Sequence, residues 1–322
     1  MRHRLLATLM IGLAACGGGV GLGGPLTTIA GDPVVTTPTI TTTSEAPTTT
    51  DGSHGPGSTT TTEVTSTTTT TIPPTTDVVA YFLIDQGGTR GRPGPFLVPV
   101  LRRVPQTVGV ARAALEQLIS GPTASEQKAG IASAVPPGTL LLGVSIADGT
   151  AVVDLSADFD AGGGTFSQRA RLAQLVFTLT RFPTVDRVEL RLDGEPVEVF
   201  SSEGIVIDGP MERMEFEDLV PTILVEDPPY GGTIGTRARV TGIAAVFEAT
   251  FHMAVLDAAG EVLAEPPYVM TDEGNGWGSF DVTLDVPITQ AQWGTLRVWN
   301  YSAEDGRVEA LREYPVWLDP EA

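Results

Sequence analysis

The sequence predicts an α+β domain followed by an all-β sandwich, both behind a long unstructured linker. Three observations lead there. Strand-like runs alternate with two helical stripes between residues 78 and 207, and strand-like runs alone recur from 222 to 320. Ahead of both, threonine, glycine, serine and proline dominate residues 17–76. The expected boundaries are a leader at 1–15, a tether at 16–77, an α+β domain at 78–207 and a sandwich at 222–320.

The amino terminus has a secretory layout. Arg2 and Arg4 give a positive start, an apolar stretch runs from Leu5 to Ala15, and Ala14-Ala15 supplies small residues for cleavage. The apolar stretch is about half the roughly 20 residues that a spanning helix needs, so a permanent membrane helix is not expected. Cys16, the sole cysteine, closes Leu13-Ala14-Ala15-Cys16. These four residues resemble the lipobox of bacterial lipoproteins. The resemblance implies cleavage ahead of Cys16, a diacylglycerol on its sulfur, and a membrane as the surface to which the chain is anchored. Two acyl chains suffice for stable anchoring where one does not. The expected location is extracytoplasmic, on the cell membrane and within the bacterial envelope.

The tether is too poor in apolar surface to offset its ordering entropy, so residues 16–77 are expected to stay disordered. As a flexible coil it would span roughly 40 to 45 Å. Its threonine runs at 59–62 and 67–71 are also candidates for O-glycosylation.

In the first domain, residues 78–84 are β-branched and aromatic and end at Gly87-Gly88, which reads as a strand. Residues 108–120 read as a helix with Ala111, Ala114, Leu115, Leu118 and Ile119 on one face, stopped by Gly121-Pro122. Residues 140–146 and 151–155 flank Asp148-Gly149, a hairpin signal. Thr165-Phe166-Ser167-Gln168 has the spacing of a capping box, and Leu172, Leu175, Val176 and Leu179 form the buried stripe of the helix it would open. Residues 188–192 and 197–200 surround Asp193-Gly194, a second hairpin signal. Two helices on one side of a mostly antiparallel sheet result.

Several pieces here occur in a telling order. They are Ala114-Leu115-Glu116-Gln117-Leu118 with Gly121-Pro122, Ile131 with Pro136-Pro137-Gly138-Thr139, and the run from Asp148 to Ser156. Phe177-Thr178-Leu179-Thr180, Phe182-Pro183 and the stretch from Val185 to Gly194 complete the set. The ordered set resembles the GerMN domain of sporulation and spore-germination proteins. What the resemblance implies is an envelope domain without known catalytic residues, so no functional residue carries over.

The second domain shows strand signals at 238–241, 246–256, 278–284, 294–301 and 309–318, with turns at 257–260, 272–276 and Asp305-Gly306. Phe247, Phe251, Phe280, Trp299 and Trp317 are the expected core aromatics. The run from Asp227 to Gly232, Val240-Thr241-Gly242, Ala245 to Ala249, Asp257 to Leu263 and Gly276 to Phe280 resemble the Gmad-type immunoglobulin-like domain of bacterial spore germination. In that family the domain often follows a GerMN domain.

Composition removes several chemistries. The net charge is −20, and the basic residues are scattered arginines with Lys128 the single lysine, so nucleic acid is not an expected partner. With Cys16 carrying lipid there is no disulfide, cysteine nucleophile or cysteine zinc site, and no cofactor or metal is expected. His3 leaves with the leader and His54 lies in the tether. His252, in an apolar-rich stretch, reads as structural rather than as a base, and no Gly-x-Ser-x-Gly elbow accompanies it. No pair of carboxylates is marked out for glycoside hydrolysis. Asp272-Glu273-Gly274-Asn275-Gly276 offers oxygens in a tight loop, yet Thr283 stands where an EF-hand needs its twelfth-position glutamate, so a hairpin turn is preferred. Trp277, Trp293 and Tyr301 invite a sugar-stacking platform, against which stands ordinary strand packing. No catalytic residue is expected, and Cys16 is the one site residue. The expected function is a lipid-anchored, non-catalytic envelope protein that binds or organises peptidoglycan or envelope proteins. A wall-active hydrolase using a carboxylate pair and an extracytoplasmic small-ligand receptor are the alternatives.

Overall fold

The computed structural model describes residues 73–201, 204–273 and 276–322. Cys16 and most of the expected tether lie outside the described residues. Strand β1 (Thr75–Ile84) starts three residues ahead of the expected strand and pairs antiparallel along its whole length with β2 (Phe96–Pro105). Helix α1 (Val110–Ser120) buries Ala114, Leu115 and Leu118, and α2 (Ala124–Lys128) is a short helix with a Thr123–Glu126 capping box. The same Glu126 carboxylate takes a two-pronged ion pair from the buried Arg102 of β2, whose guanidinium lies 5.0 Å from the Phe82 ring centre. One carboxylate therefore caps a helix and fixes it to the sheet.

A two-residue strand, β3 (Ile131–Ala132), adds to the end of β1. Strands β4 (Leu141–Ala147) and β5 (Thr150–Leu155) form the expected hairpin, with Asp148 at φ 49° and Gly149 at φ 75°. Both central residues are left-handed, as a type I′ turn requires. Helix α3 (Thr165–Leu179) then crosses to β6 (Arg187–Leu192), which lies parallel to β5, and β7 (Glu195–Pro196) turns back on it. A small ladder of β8 (Val199–Phe200) and β9 (Ile205–Val206) follows. The domain thus has two sheets, β2-β1-β3 and β4-β5-β6-β7. Helix α3 packs on β1, β2 and β6 and is buried on nearly every side from Ala170 to Leu179.

The second domain begins with β10 (Ile223–Asp227), β11 (Thr233–Ile234) and β12 (Arg237–Ala244). After β13 (Thr250–Leu256), β14 (Val262–Ala264) and β15 (Val269–Met270) come three longer strands: β16 (Gly278–Asp285), β17 (Gln292–Tyr301) and β18 (Val308–Leu318). One sheet runs β10-β12-β16; the other runs β11-β18-β17-β13-β14, with β15 also on β13. Period-2 alternation directs Met253, Val255, Leu296, Val298, Tyr314 and Val316 inward against Val240 and Phe280. Gly242 lies opposite Phe280, and a Cβ there would fall 2.6 Å from the ring, so the ring covers a bare strand position.

Four expectations need correction. Gly164 rather than Thr165 is the N-cap of α3, and the Gln168 amide donates 2.6 Å to the Gly162 carbonyl instead of closing a capping box. The Asp193-Gly194 hairpin is only two residue pairs long, because the chain leaves β6 after Pro196. Phe247 is 72% exposed: Glu248 and Ala249 take positive φ, and the strand starts only at Thr250. Trp299 and Trp317 sit half-buried on the outer face, one step out of phase with the inward residues Val298 and Val316.

Candidate functional site

The two domains meet along the outer edge of β2. Tyr230 lies beside it, donating its N–H 2.9 Å to the Pro99 carbonyl and accepting 3.0 Å from the Leu101 N–H. At the other end, the Gly87 N–H donates to the Leu311 carbonyl, and the Ala310 N–H to the Gly88 carbonyl, each at 3.0 Å. Through these bonds β18 also finds backbone partners beyond its own sheet. Arg312 occupies an inward position of β18, is 1% exposed, and donates 2.6 Å to the Leu97 carbonyl across the seam. Its second terminal nitrogen has no hydrogen-bond partner, and burial pushes its guanidinium below the usual arginine range. Apolar burial continues without a break from Tyr81 and Phe177 through Val220 and Leu224 to Tyr314 and Leu318. The seam is interior, not linker.

A polar cluster closes the seam beside α3. The Tyr81 hydroxyl donates 2.8 Å to the Glu226 carboxylate, which also takes 2.6 Å from Arg213. Arg213 bonds in turn to the Thr180 hydroxyl at 2.6 Å and covers the Phe177 ring at 4.8 Å. Burial, then the Glu226 charge, holds the Tyr81 hydroxyl well above the ordinary tyrosine range. Burial also raises Tyr314, whose hydroxyl accepts the Val225 N–H at 3.1 Å.

Outside this cluster lies a cleft of about 380 Å³, lined by Val79, Leu101, Arg181, Phe182, Asp227 and Pro228 among others. Its size falls in the range of small-ligand sites, and junctions between domains are where such sites concentrate. Arg181 is its cation: it donates 2.7 Å to the Glu226 carbonyl and 3.3 Å to Asp227. The lining offers apolar contact from valine, leucine and phenylalanine, with a charged rim of Asp77, Arg181 and Asp227.

A family model for sporulation and spore germination, Germane, matches residues 79–198, and one for the immunoglobulin-like domain of bacterial spore germination, Gmad2, matches residues 222–307. The chain carries a Germane domain followed by a Gmad2 domain. It is 29% identical over 135 residues to the spore germination protein GerM of Bacillus subtilis, covering 42% of this chain and 35% of that relative. The match thus spans about a third of the relative's length. Among solved structures, the tandem GerMN domains of the sporulation protein GerM from Bacillus subtilis share 19% identity at a TM-score of 0.38, covering 65% of this chain and 60% of that one. The first GerMN domain of that protein shares 26% identity at a TM-score of 0.36, covering 42% of this chain and 98% of that one. The expected GerMN-then-Gmad order is borne out.

The aromatic candidates of the Gmad2 domain separate. Trp293 meets Trp317 edge-to-face at 5.5 Å, and Tyr301 meets His252, which stacks on Trp299 at 5.3 Å. Trp277 turns to the Germane side, where its ring nitrogen donates 3.3 Å to Glu217 and its ring lies 5.9 Å from Arg92. These three residues form no common platform. His252 is a packing partner of Trp299. Asp272 donates its backbone N–H 3.0 Å to the Ser279 carbonyl and takes the Ser279 N–H on its side-chain carboxylate, so this carboxylate closes a turn; residues 274 and 275 lie outside the described residues. Among the described residues no cluster of three or more histidine, cysteine, aspartate or glutamate side chains could hold a metal.

Sequence reasoning passed over Arg312, Arg181, Glu226 and Tyr81. Arg312 left a signal: it stands in phase with Ala310, Tyr314, Val316 and Leu318, an arginine in the apolar register of a strand. Arg181 and Glu226 left none, because their meeting depends on how the two domains dock.

Proposed function

We propose that this protein is a lipid-anchored, non-catalytic component of a bacterial cell envelope, of the germination and sporulation type, that holds a two-domain body near the membrane and binds or organises wall or envelope partners. The observation that carries the reading is the order of parts along the chain. A lipobox-like Leu13-Ala14-Ala15-Cys16 precedes a threonine-rich stretch, and two domains matching spore-germination models follow. The continuous core across the seam supports presentation of one body, with its surfaces at fixed separations, rather than two independent beads. The test is cell fractionation of wild type and Cys16→Ser, with crosslinking and pull-down from the native cells. Membrane association lost in the variant, with envelope proteins or wall fragments captured by the wild type, supports the reading. A variant that stays on the membrane removes the anchor. Cleared peptidoglycan in a zymogram of the purified chain removes the non-catalytic role.

The cleft beside Arg181 favours a second reading, an extracytoplasmic receptor for a small ligand or peptide end. A thermal-shift screen separates the two. A hit that Arg181→Ala abolishes supports the receptor, and a screen without hits leaves partner binding at the surface.

A further inference from the structure

Residues 129–147 hold no charged side chain, the longest such run in the folded part of a chain with net charge −20. Strand β4 lies inside that run and is the end strand of its sheet. Other strand margins near the seam are closed. The edge of β2 bonds to Tyr230, and the backbone of Tyr81 in β1 is met by Thr178 and Gln174 of α3. Along β4, by contrast, Leu142 is 47% and Ile146 39% exposed, Leu140 just ahead of it is 59% exposed, and neither lysine nor proline blunts the strand. A bulge at Leu142 disturbs one end and leaves residues 143–147 regular.

The two-residue turn fixes which groups are free. Ala147 and Thr150 form the closing pair, so in alternation Ser145 and Gly143 bond to β5 while the N–H and C=O groups of Val144 and Ile146 point away. We propose that β4 pairs antiparallel with β4 of a second copy, about a two-fold axis at Ser145. Val144 then exchanges two hydrogen bonds with Ile146 of the other copy, and Ile146 with its Val144. On one face these four side chains form an apolar strip. On the other, Ser145 meets its own counterpart and Gly143 meets Ala147, all small. The two four-stranded sheets become one of eight.

Charge selects a second copy as the occupant. A strongly acidic chain repels itself over most of its surface, and this strand is where two copies meet no like charge. A basic partner, for its part, finds no acid on the strand to pair with. Five regular residues per copy bury far less than the roughly 800 Å² per partner of a standard interface, so the contact is weak and concentration-dependent.

The test uses the full chain carrying Cys16→Ser, which removes the only thiol and any attached lipid. In that background Ser145→Cys places two thiols at the axis. The Cα atoms of a non-hydrogen-bonded antiparallel pair lie about 4.5 Å apart, within disulfide range. Disulfide dimer should form under mild oxidation at least about tenfold faster than with Val262→Cys, an exposed control in β14. In the Cys16→Ser background alone, sedimentation equilibrium should show reversible dimer rising between about 10 and 500 µM, and Ile146→Lys should abolish it without lowering the melting temperature. Equal crosslinking at 145 and 262, a strict monomer at 500 µM, or dimer unaffected by Ile146→Lys would overturn the proposal.

Discussion

Two strand margins of the Germane domain receive opposite treatment. At the seam, the β2 edge is bonded to Tyr230, and Gln174 and Thr178 of α3 satisfy the backbone of Tyr81. At β4 the margin is left bare, though its residues are just as apolar. An unpaired backbone group costs nothing in water and a good deal once buried, so closure is needed at the seam and optional at β4. The contrast separates what holds the body together from what it presents.

The largest effect should come from breaking the seam at its buried cation. Arg312→Ala removes a fully buried side chain and orphans the Leu97 carbonyl, which should destabilise the fold by about 4 kcal/mol. Because the core is continuous, both domains should melt together in urea, at a lower midpoint. Arg312→Met sharpens the point. It fills most of the space and removes the unpartnered nitrogen but still leaves the Leu97 carbonyl without its donor, so it should lose about 1 to 3 kcal/mol, less than the alanine variant. Two separate transitions in either variant would show that the seam does not couple the domains.

Opening the closed margin of β1 comes next. Gln174 accepts from the Ala134 N–H at 2.7 Å and donates to the Tyr81 carbonyl at 2.9 Å. Gln174→Leu strands both groups and should cost about 2 to 3 kcal/mol by denaturant unfolding. A change below about 0.5 kcal/mol would mean that water reaches this margin after all.

A smaller effect is predicted in alkali. Burial raises the Tyr81 and Tyr314 hydroxyls above the ordinary tyrosine value of about 10, so the unfolded chain ionises first. A raised folded value means a contribution fully present below about pH 10 and lost as pH climbs through the folded value. The urea midpoint should therefore hold up to about pH 10 and fall beyond it, less steeply in Tyr81→Phe. That variant should also lose about 1 kcal/mol at neutral pH with the Glu226 bond. Smallest of all, Ile146→Lys at the bare margin should change stability by less than about 0.5 kcal/mol, as exposed substitutions do.

Much of the architecture was legible where local chemistry decides it. The Asp148-Gly149 turn, the stripe of α3 and the alternation in β18 each announce themselves within a few residues. Strand β2 did not, because Pro95, Pro99 and Pro105 break the pattern of a paired strand. Pro99 is tolerated because it opposes Tyr81 in a pair whose backbone groups point away from each other; its carbonyl serves Tyr230 and no N–H is needed. Phe247 misled because nothing in its neighbourhood advertises positive φ at Glu248 and Ala249. The cleft was invisible for a different reason: Val79, Arg181 and Asp227 are brought together only by docking.

The way β1 enters the body has a mechanical consequence. Thr75 pairs with Pro105 and Ile84 with Phe96, and the Gln106 N–H bonds to the Pro74 carbonyl just ahead. A pull on the preceding chain directed along β1 loads the ladder bonds in parallel, so they must rupture together. A pull across the strand loads them one after another, beginning at Pro74, and peels the strand from its neighbour. The same ladder is a shear clamp in one direction and a zipper in the other.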